Sequence, residues 1–568
     1  MSAPQKTEDR VNLQKMQKIG SGTYGIVYLV KTSDGKEEYA FKRNIVIEGS
    51  PSRIVRELDI LKRLRGHPRV VTIMIVSFGN PFCEILSPIK DVETKYTFKD
   101  DIWHFLFELA ETNLFNWICN VTPTFNQTRQ FMLDILLGVE FIHRSGIIHR
   151  DLKTQNVVIF KPGADPIARD PDDKSPLISN APTPYEDNVY HRAKICDLGL
   201  AKPHVFDGLS TRNTTTLYYR APEIAGGHRN YDFKVDCWSV GCMFYEMLFR
   251  MSFVGQINNV TQDLQVAILN NLPYLASKYE RETILGYYGN AKQPDRITSI
   301  KEKILGNSAI IQLIRNDGHD PLIVSTQLDN IITKLLTIDP ARRASITEIL
   351  NEPFFNDYRE YIEKSRAKYL PRSSVQYPYD IPACMERNHI SYLIIEIYNR
   401  CVTPDRPTWY THRRFFHAID LFDRCLRYHL RHAPHNAIET EHRGKAMTTV
   451  EAVLYFYCCF YLSIKYFSSL ENVVSLKDIL PRDYQIPEVV EKLEAYEIIL
   501  VRNICDYSIY RHTLYESICM VTEDRGHDFE MMIRVGIICL TGTNINGKTP
   551  METALKIKEE RDLEKSKK

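Results

Sequence analysis

A series of short stretches, met in a fixed order, limits what this chain can fold into far more than its length does. "IGSGTYGIVYLV", Ile19 to Val30, sets Gly20, Gly22 and Gly25 between β-forming residues. "YAFKR" follows and puts Lys42 in a short β-like run. "EGSPSRIVRELDIL" then reads as an amphipathic helix, with Ile54, Leu58 and Leu61 at i, i+4 and i+7. Ser50 ahead of Pro51 is a suitable N-cap followed by a first-turn proline. "IIHRDLKTQNVVIF" gathers His149, Arg150, Asp151, Lys153 and Asn156 into one loop, "KICDLGLA" places Asp197 after a strand, and "YYRAPEI" adds Glu223.

Taken singly, each stretch has an ordinary explanation. A lone G-x-G-x-x-G is as readily a glycine-tolerant turn as a phosphate loop, and a strand lysine is usually a solvated edge charge. Glycines there let backbone N–H groups approach phosphate oxygens. The helix that opens a dinucleotide site is missing, because "IVYLV" continues as strand, and this favours a β-hairpin lid over ATP. Arg56 and Glu57 are neighbours on the helix and point about 100° apart, so they face different partners.

In this order and spacing the motifs resemble the protein-kinase signature set across roughly residues 14 to 356. The resemblance implies an α+β bilobal protein kinase fold that uses ATP and Mg2+. It puts Ile19, Gly20, Ser21, Gly22, Thr23, Tyr24, Gly25 and Val27 at the nucleotide, with Ala40 beside them. Lys42 and Glu57 form an ion pair aimed at the phosphates. Phe107 guards the adenine pocket, and Glu108 and Ala110 offer hinge backbone groups. Asp151 accepts the substrate hydroxyl proton, Lys153 steadies the phosphoryl group, and Asn156 and Asp197 hold magnesium. Asp236 braces the catalytic loop, while Glu223 and Arg343 lock the large lobe.

The "PSRIVRE" helix further resembles that of the cyclin-dependent kinases, whose signature reads P-S-T-A-I-R-E; Pro51, Ser52, Arg56 and Glu57 keep it. The resemblance implies that Thr211 in "TRNTTTLYYRAPE" is the activation phosphosite and that Arg56, Arg150 and Lys202 receive its phosphate. Lys202 stands where arginine is usual, giving charge without a fork. It also implies protein substrates with Ser or Thr followed by Pro. DLG replaces the usual DFG, and Leu198 keeps an apolar plug there.

The chain has 568 residues, which implies more than one domain. A net charge of +1 gives no field for nucleic acid or anionic membrane, so neither is an expected partner. Thirteen cysteines without a C-x-x-C pair, and no early apolar run, suit an intracellular protein in cytoplasm or nucleus, without signal peptide, transmembrane segment or zinc site. The most apolar run, "VLYFYCCFYLSI" from Val453 to Ile464, is 12 residues long, too short to span a bilayer, and reads as a buried core helix.

The expected organisation is a kinase domain over 1–356, with an N-lobe at about 14–110 and a C-lobe at about 111–356. A Pro-, Asp- and Ser-rich stretch, 161–189, is a mobile insert. Residues 357–383 form a linker that could reach about 90 Å, and 526–568 form a C-terminal extension. Between them, 384–525 carries apolar-periodic helices with "AIDLFDRCL" and "LSIKYF", which resemble a cyclin box and make this part all-α. Lys465 and Glu497 correspond to the cyclin pair that holds the helices facing the kinase. Such a fusion implies an intramolecular kinase–cyclin contact and activation in cis. The competing readings are a kinase whose C-terminal helices bind an unrelated partner, and a pseudokinase scaffold; the presence of Lys42, Asp151, Asn156 and Asp197 counts against the scaffold.

Overall fold

The structure is a computed structural model. It describes residues 13–22, 25–32, 36–44, 51–78, 103–163, 190–204, 216–225, 231–253, 299–371, 385–401, 410–432, 449–467, 549–566 and single positions between 479 and 540. The chain divides into two compact units. The first takes the described residues within Met1–Glu48, Leu64–His204 and Gly208–Leu370; the second takes those within Gly49–Arg63, Val205–Asp207 and Pro371–Lys568.

In the first unit, β1 (Leu13–Gly22), β2 (Gly25–Thr32), β3 (Glu38–Asn44), β4 (Ile73–Phe78) and β5 (Trp103–Glu108) make an antiparallel sheet in the order β1-β2-β3-β5-β4. Its register sets Gly20 opposite Val27, Val27 opposite Lys42, and Lys42 opposite Phe105. The glycine strands, the Lys42 strand and the Phe107 strand are thereby neighbours. Gly25 is required sterically: a Cβ there would lie 2.9 Å from the Arg43 carbonyl oxygen.

The rest of this unit is mostly helical. Phe125–Arg144, capped by Thr124 accepting from the Gln127 N–H, is buried on nearly every face from Gln127 to Ile142. Gly138 in it lets two backbones approach, since a Cβ would lie 2.6 Å from the Arg69 carbonyl and 2.9 Å from Ile195. Small strands β6 (Val157–Phe160) and β7 (Arg192–Ile195) pair in front of it, and Ile195 bonds the backbone of Arg69 and Val71.

The linker expected from residue 357 is folded as far as Leu370. Arg359–Lys368 is a helix that buries Tyr361, Ile362 and Ser365. The Tyr361 hydroxyl accepts from Arg69 at 2.5 Å and Arg192 at 2.7 Å, and both guanidiniums reach the fully buried Asp134. Arg366 forks onto Glu140. Tyr361 and Arg366 tie this segment to buried partners, while Glu360, Glu363 and Lys364 stay exposed. The insert at 161–189 lies outside the described residues beyond Gly163.

The second unit contains α1 (Pro51–Leu64, as far as Arg63), α2 (Met385–Cys401), α3 (His412–His432), α4 (Thr449–Phe467) and α5 (Pro550–Ser566). Ile390 and Ile394, Phe415 and Phe422, and Phe456 and Phe460 share one core. The apolar run Val453–Ile464 lies in α4 and is buried, as its length implies. Among the described residues no helix is long and apolar enough to cross a membrane. The charged tail forms helix α5, yet it buries Ala554 and Ile557.

His104 on β5 is 6% exposed, stacks on Phe41 at 5.2 Å between centroids, and sits opposite Arg43. Burial, with the Arg43 charge, pulls its pKa down to about 4. The unfolded chain therefore binds a proton that the folded sheet refuses. The stabilisation is complete above about pH 6.5 and is lost as pH falls toward 4, up to about 3 kcal/mol. In urea titrations, the stability lost between pH 7.5 and 5 should be about 2 kcal/mol smaller in His104→Phe; an identical loss would remove His104 from the account.

Candidate active site

The site is built outward from Asp236, which is 1% exposed near the start of helix Lys234–Phe249. Its carboxylate accepts the backbone N–H of His149 at 2.8 Å and of Arg150 at 2.9 Å, and the His143 ring nitrogen at 2.9 Å. Burial opposes its ionisation, but His143, His149 and the Arg150 N–H outweigh burial and hold its pKa below the usual carboxylate value. Two aimed N–H groups hold Arg150 at φ 68°, a left-handed conformation that arginine adopts at a steric cost. The expected brace is present.

That turn presents Asp151. One of its oxygens accepts the Thr216 hydroxyl at 2.7 Å and the Thr216 N–H at 3.1 Å. The other accepts Lys153 Nζ at 2.7 Å and Asn156 Nδ2 at 3.0 Å. Lys153 also reaches the Thr216 hydroxyl at 3.0 Å. Asp151, Lys153 and Asn156 therefore converge, and Thr216 joins them.

Asn156 turns its amide N–H groups to Asp151 and accepts the Cys196 N–H on its backbone carbonyl at 2.9 Å, which ties it to the residue before Asp197. Asp197 is left-handed (φ 58°) and lies 3.8 Å from Lys42 Nζ. Its surroundings disfavour charge, yet Lys42, the Gly199 N–H and Lys153 outweigh that and hold its pKa below the ordinary value. An amide oxygen and an ionised carboxylate are the hard donors magnesium takes, so the pair fits that ion.

His149 was read from sequence only as part of the motif. Its Nδ1 accepts the Asp151 N–H at 3.3 Å and its Nε2 faces the Cys196 carbonyl at 3.0 Å. The pattern assigns the Nε2–H tautomer and makes the ring a strut between the Asp151 and Asp197 segments. Thr154 and Tyr219 likewise share Glu246 at 3.0 and 2.5 Å, joining the catalytic loop to the segment before Glu223. Glu223 meets Arg343 through two bonds of 2.7 and 2.9 Å, with the guanidinium fully buried.

The residues expected at the nucleotide are described in part. Ile19 is 46% exposed at the end of the β1 approach, with Gly20, Ser21 and Gly22 after it and Val27 and Ala40 on adjoining strands. Phe107 is half-buried beside Phe105. The Glu108 side chain is occupied by the Thr72 N–H and Lys194, and Ala110 lies two residues past the end of β5. Glu57 is 3% exposed on α1, in the second unit. Arg150 and Lys202 are both buried on adjoining segments, Lys202 pairing with Ile148. Thr23, Tyr24, Thr211 and Glu497 lie outside the described residues, as does the side chain of Lys465.

Comparison with known proteins follows the same outline. The family described as "Protein kinase domain" matches residues 13–355. A curated relative from Dictyostelium discoideum, "Probable cyclin-dependent kinase 10", is 26% identical over 362 residues, covering 62% of this chain and 82% of its own. A chain of the solved "Structure of the CAK complex form Chaetomium thermophilum bound to ATP-gamma-S" is 21% identical, covers 61% of this chain and 91% of its own, and superposes with a TM-score of 0.42.

Replacing Asp236 by Ala strands the His149 and Arg150 N–H groups in a buried turn. Urea unfolding should show a loss of about 3 kcal/mol, near the sum of two unsatisfied buried donors. A loss under about 1 kcal/mol would mean that other groups hold the turn.

Proposed function

Because the chain belongs to the protein kinases, we propose that it is a Ser/Thr kinase of the cyclin-dependent type, selective for hydroxyls followed by Pro and activated in cis by a cyclin-like domain over about residues 384–525. The observation that carries the catalytic reading is the carboxylate of Asp151, held by Thr216, Lys153 and Asn156 beside an ionised Asp197. The relative named as a cyclin-dependent kinase, and the "PSRIVRE" helix, support the subfamily. The all-α core of the second unit, which contains α1, supports activation in cis.

In this reading the substrate hydroxyl gives its proton to Asp151 as its oxygen bonds to the terminal phosphorus of ATP. The bond from that phosphorus to the ADP oxygen breaks as the new one forms. Lys153 holds the moving phosphoryl oxygens and Thr216 orients Asp151. Lys42 faces the same side as Asp197 and meets phosphate charge. Asn156 and Asp197 would hold magnesium, which when bound would supply neutralising charge to the nucleotide. Arg150 and Lys202 remain the proposed receptors for a phosphate on Thr211, with Arg56 as the third member that the motif implies.

Two experiments test this. With a Ser-Pro peptide as acceptor, Asp151→Asn should lower turnover at least about a hundredfold while nucleotide affinity holds, because a general base touches the hydroxyl and not ATP. Turnover near wild type would show that Asp151 is not the base.

A chain ended after Leu370 keeps the Tyr361 helix and should still bind nucleotide, yet lose most of its activity. Residues 371–568 supplied separately should restore activity at concentrations reflecting the lost tether, whose effective concentration is in the range of about 1 mM. Full activity of the shortened chain would favour the reading in which the C-terminal helices bind an unrelated partner.

A further inference from the structure

Resting on the reading of Asp197 as a phosphate-side carboxylate of a kinase site, we propose that Tyr361 is a positioning residue for Asp197. It sits on helix Arg359–Lys368, which acts as a strap fixing the strand ahead of Asp197 against the segment that leads to β4. The family match ends at residue 355, so the strap is carried by residues beyond it.

Asp134, Arg69, Arg192 and Tyr361 are all buried. The Asp134 carboxylate pairs with Arg69 Nε at 2.8 Å and accepts Arg192 Nη2 at 2.7 Å and Nε at 3.0 Å. Gln130 and the Ala193 N–H donate to it as well, which fills its roughly four acceptor sites. The two guanidiniums therefore need a further acceptor. A phenolic oxygen has two lone pairs, and that of Tyr361 takes Arg69 Nη2 at 2.5 Å and Arg192 Nη2 at 2.7 Å. It is a neutral bridge between two buried cations.

What the bridge fixes is the approach to Asp197. Arg192 begins β7, and Ile195 at its end donates to the Arg69 carbonyl and accepts the Val71 N–H, each at 2.9 Å. Asp197 follows two residues later in left-handed backbone, a conformation that persists only where its surroundings over-determine it. A shift of β7 along residues 67–71 would part the two guanidiniums from the one oxygen they share. The strap holds that segment a second time: Tyr369 lies edge-on to His67 at 5.1 Å between centroids, and His67 Nδ1 accepts the Arg69 N–H at 3.3 Å. Arg366 fastens the strap to Glu140, on the same helix as Asp134.

The test uses the full chain with ATP and a Ser-Pro peptide. Tyr361→Phe keeps the ring and removes the acceptor. It should lower kcat at least about fivefold while KM for the peptide holds, because the peptide does not touch Asp197. Native-state hydrogen exchange should show the Val71 and Ile195 N–H groups losing protection, with the Arg150 N–H unchanged. Arg69→Met leaves Asp134 forked by Arg192 and removes one of the bridged cations, so adding Tyr361→Phe to it should cost little more. A tyrosine that serves packing alone would lower urea stability and leave the kcat of the folded enzyme as it was; that result overturns the proposal. An equal kcat loss with and without Arg69→Met, or unchanged exchange at Val71 and Ile195, overturns it as well. The wider reading is separable: if Asp197→Asn keeps full activity, the role of Asp197 fails and the proposal with it; if Asp197→Asn is inactive while Tyr361→Phe keeps its kcat, only the strap is wrong.

Discussion

One buried carboxylate sets the geometry on which the chemistry depends. Asp236 has no lysine or arginine among its described partners; it is satisfied by two backbone N–H groups and an imidazole. An arginine in left-handed backbone would relax elsewhere, but here its amide is aimed at a group that cannot leave the core. Once Arg150 is fixed, Asp151 is presented toward Thr216 and Lys153, and His149 is fixed between the two segments that carry Asp151 and Asp197. The placement of Asp151 is therefore inherited from a residue about 85 positions away in the chain.

The same economy appears in the other buried charges. Asp134 gathers two guanidiniums, and the Tyr361 hydroxyl accepts one further N–H from each, so these buried charges are hydrogen-bonded. Glu223 and Arg343 form a forked pair with backbone carbonyls completing the guanidinium. Such groups stabilise little relative to apolar replacements, but they permit only one arrangement of the elements that carry them. In α1 the load is heavier still: Arg56, Glu57, Asp59 and Arg63 are all buried. A helix with that many desolvated charges needs specific partners.

Residues that touch one another through local sequence were legible without coordinates. The loop around Asp151 and Asn156, the glycine strands and the apolar stripe of α1 all follow from spacing within about a dozen residues. The glycine hairpin was read as strand rather than helix because its β-branched run continues, and the sheet agrees. What spacing concealed was the use of polar residues. Arg359–Lys368 reads as linker because Tyr361 and Arg366 find partners 292 and 226 positions away. The strut role of His149 depended on a carbonyl 47 residues downstream.

Sequence alone pointed to the family, because Asp151, Lys153 and Asn156 stand within one short stretch and Asp197 follows in a second. Tertiary structure decided how those groups are held: Thr216 on Asp151, Asp236 under the turn, and Tyr466 on two charges of α1, 410 and 407 positions distant. The physical reason is that a buried hydrogen bond is specified by geometry at both ends, and one-dimensional order carries only the type of each partner. A tyrosine near the end of an apolar helix looks like any core residue until the helix that receives it is in place.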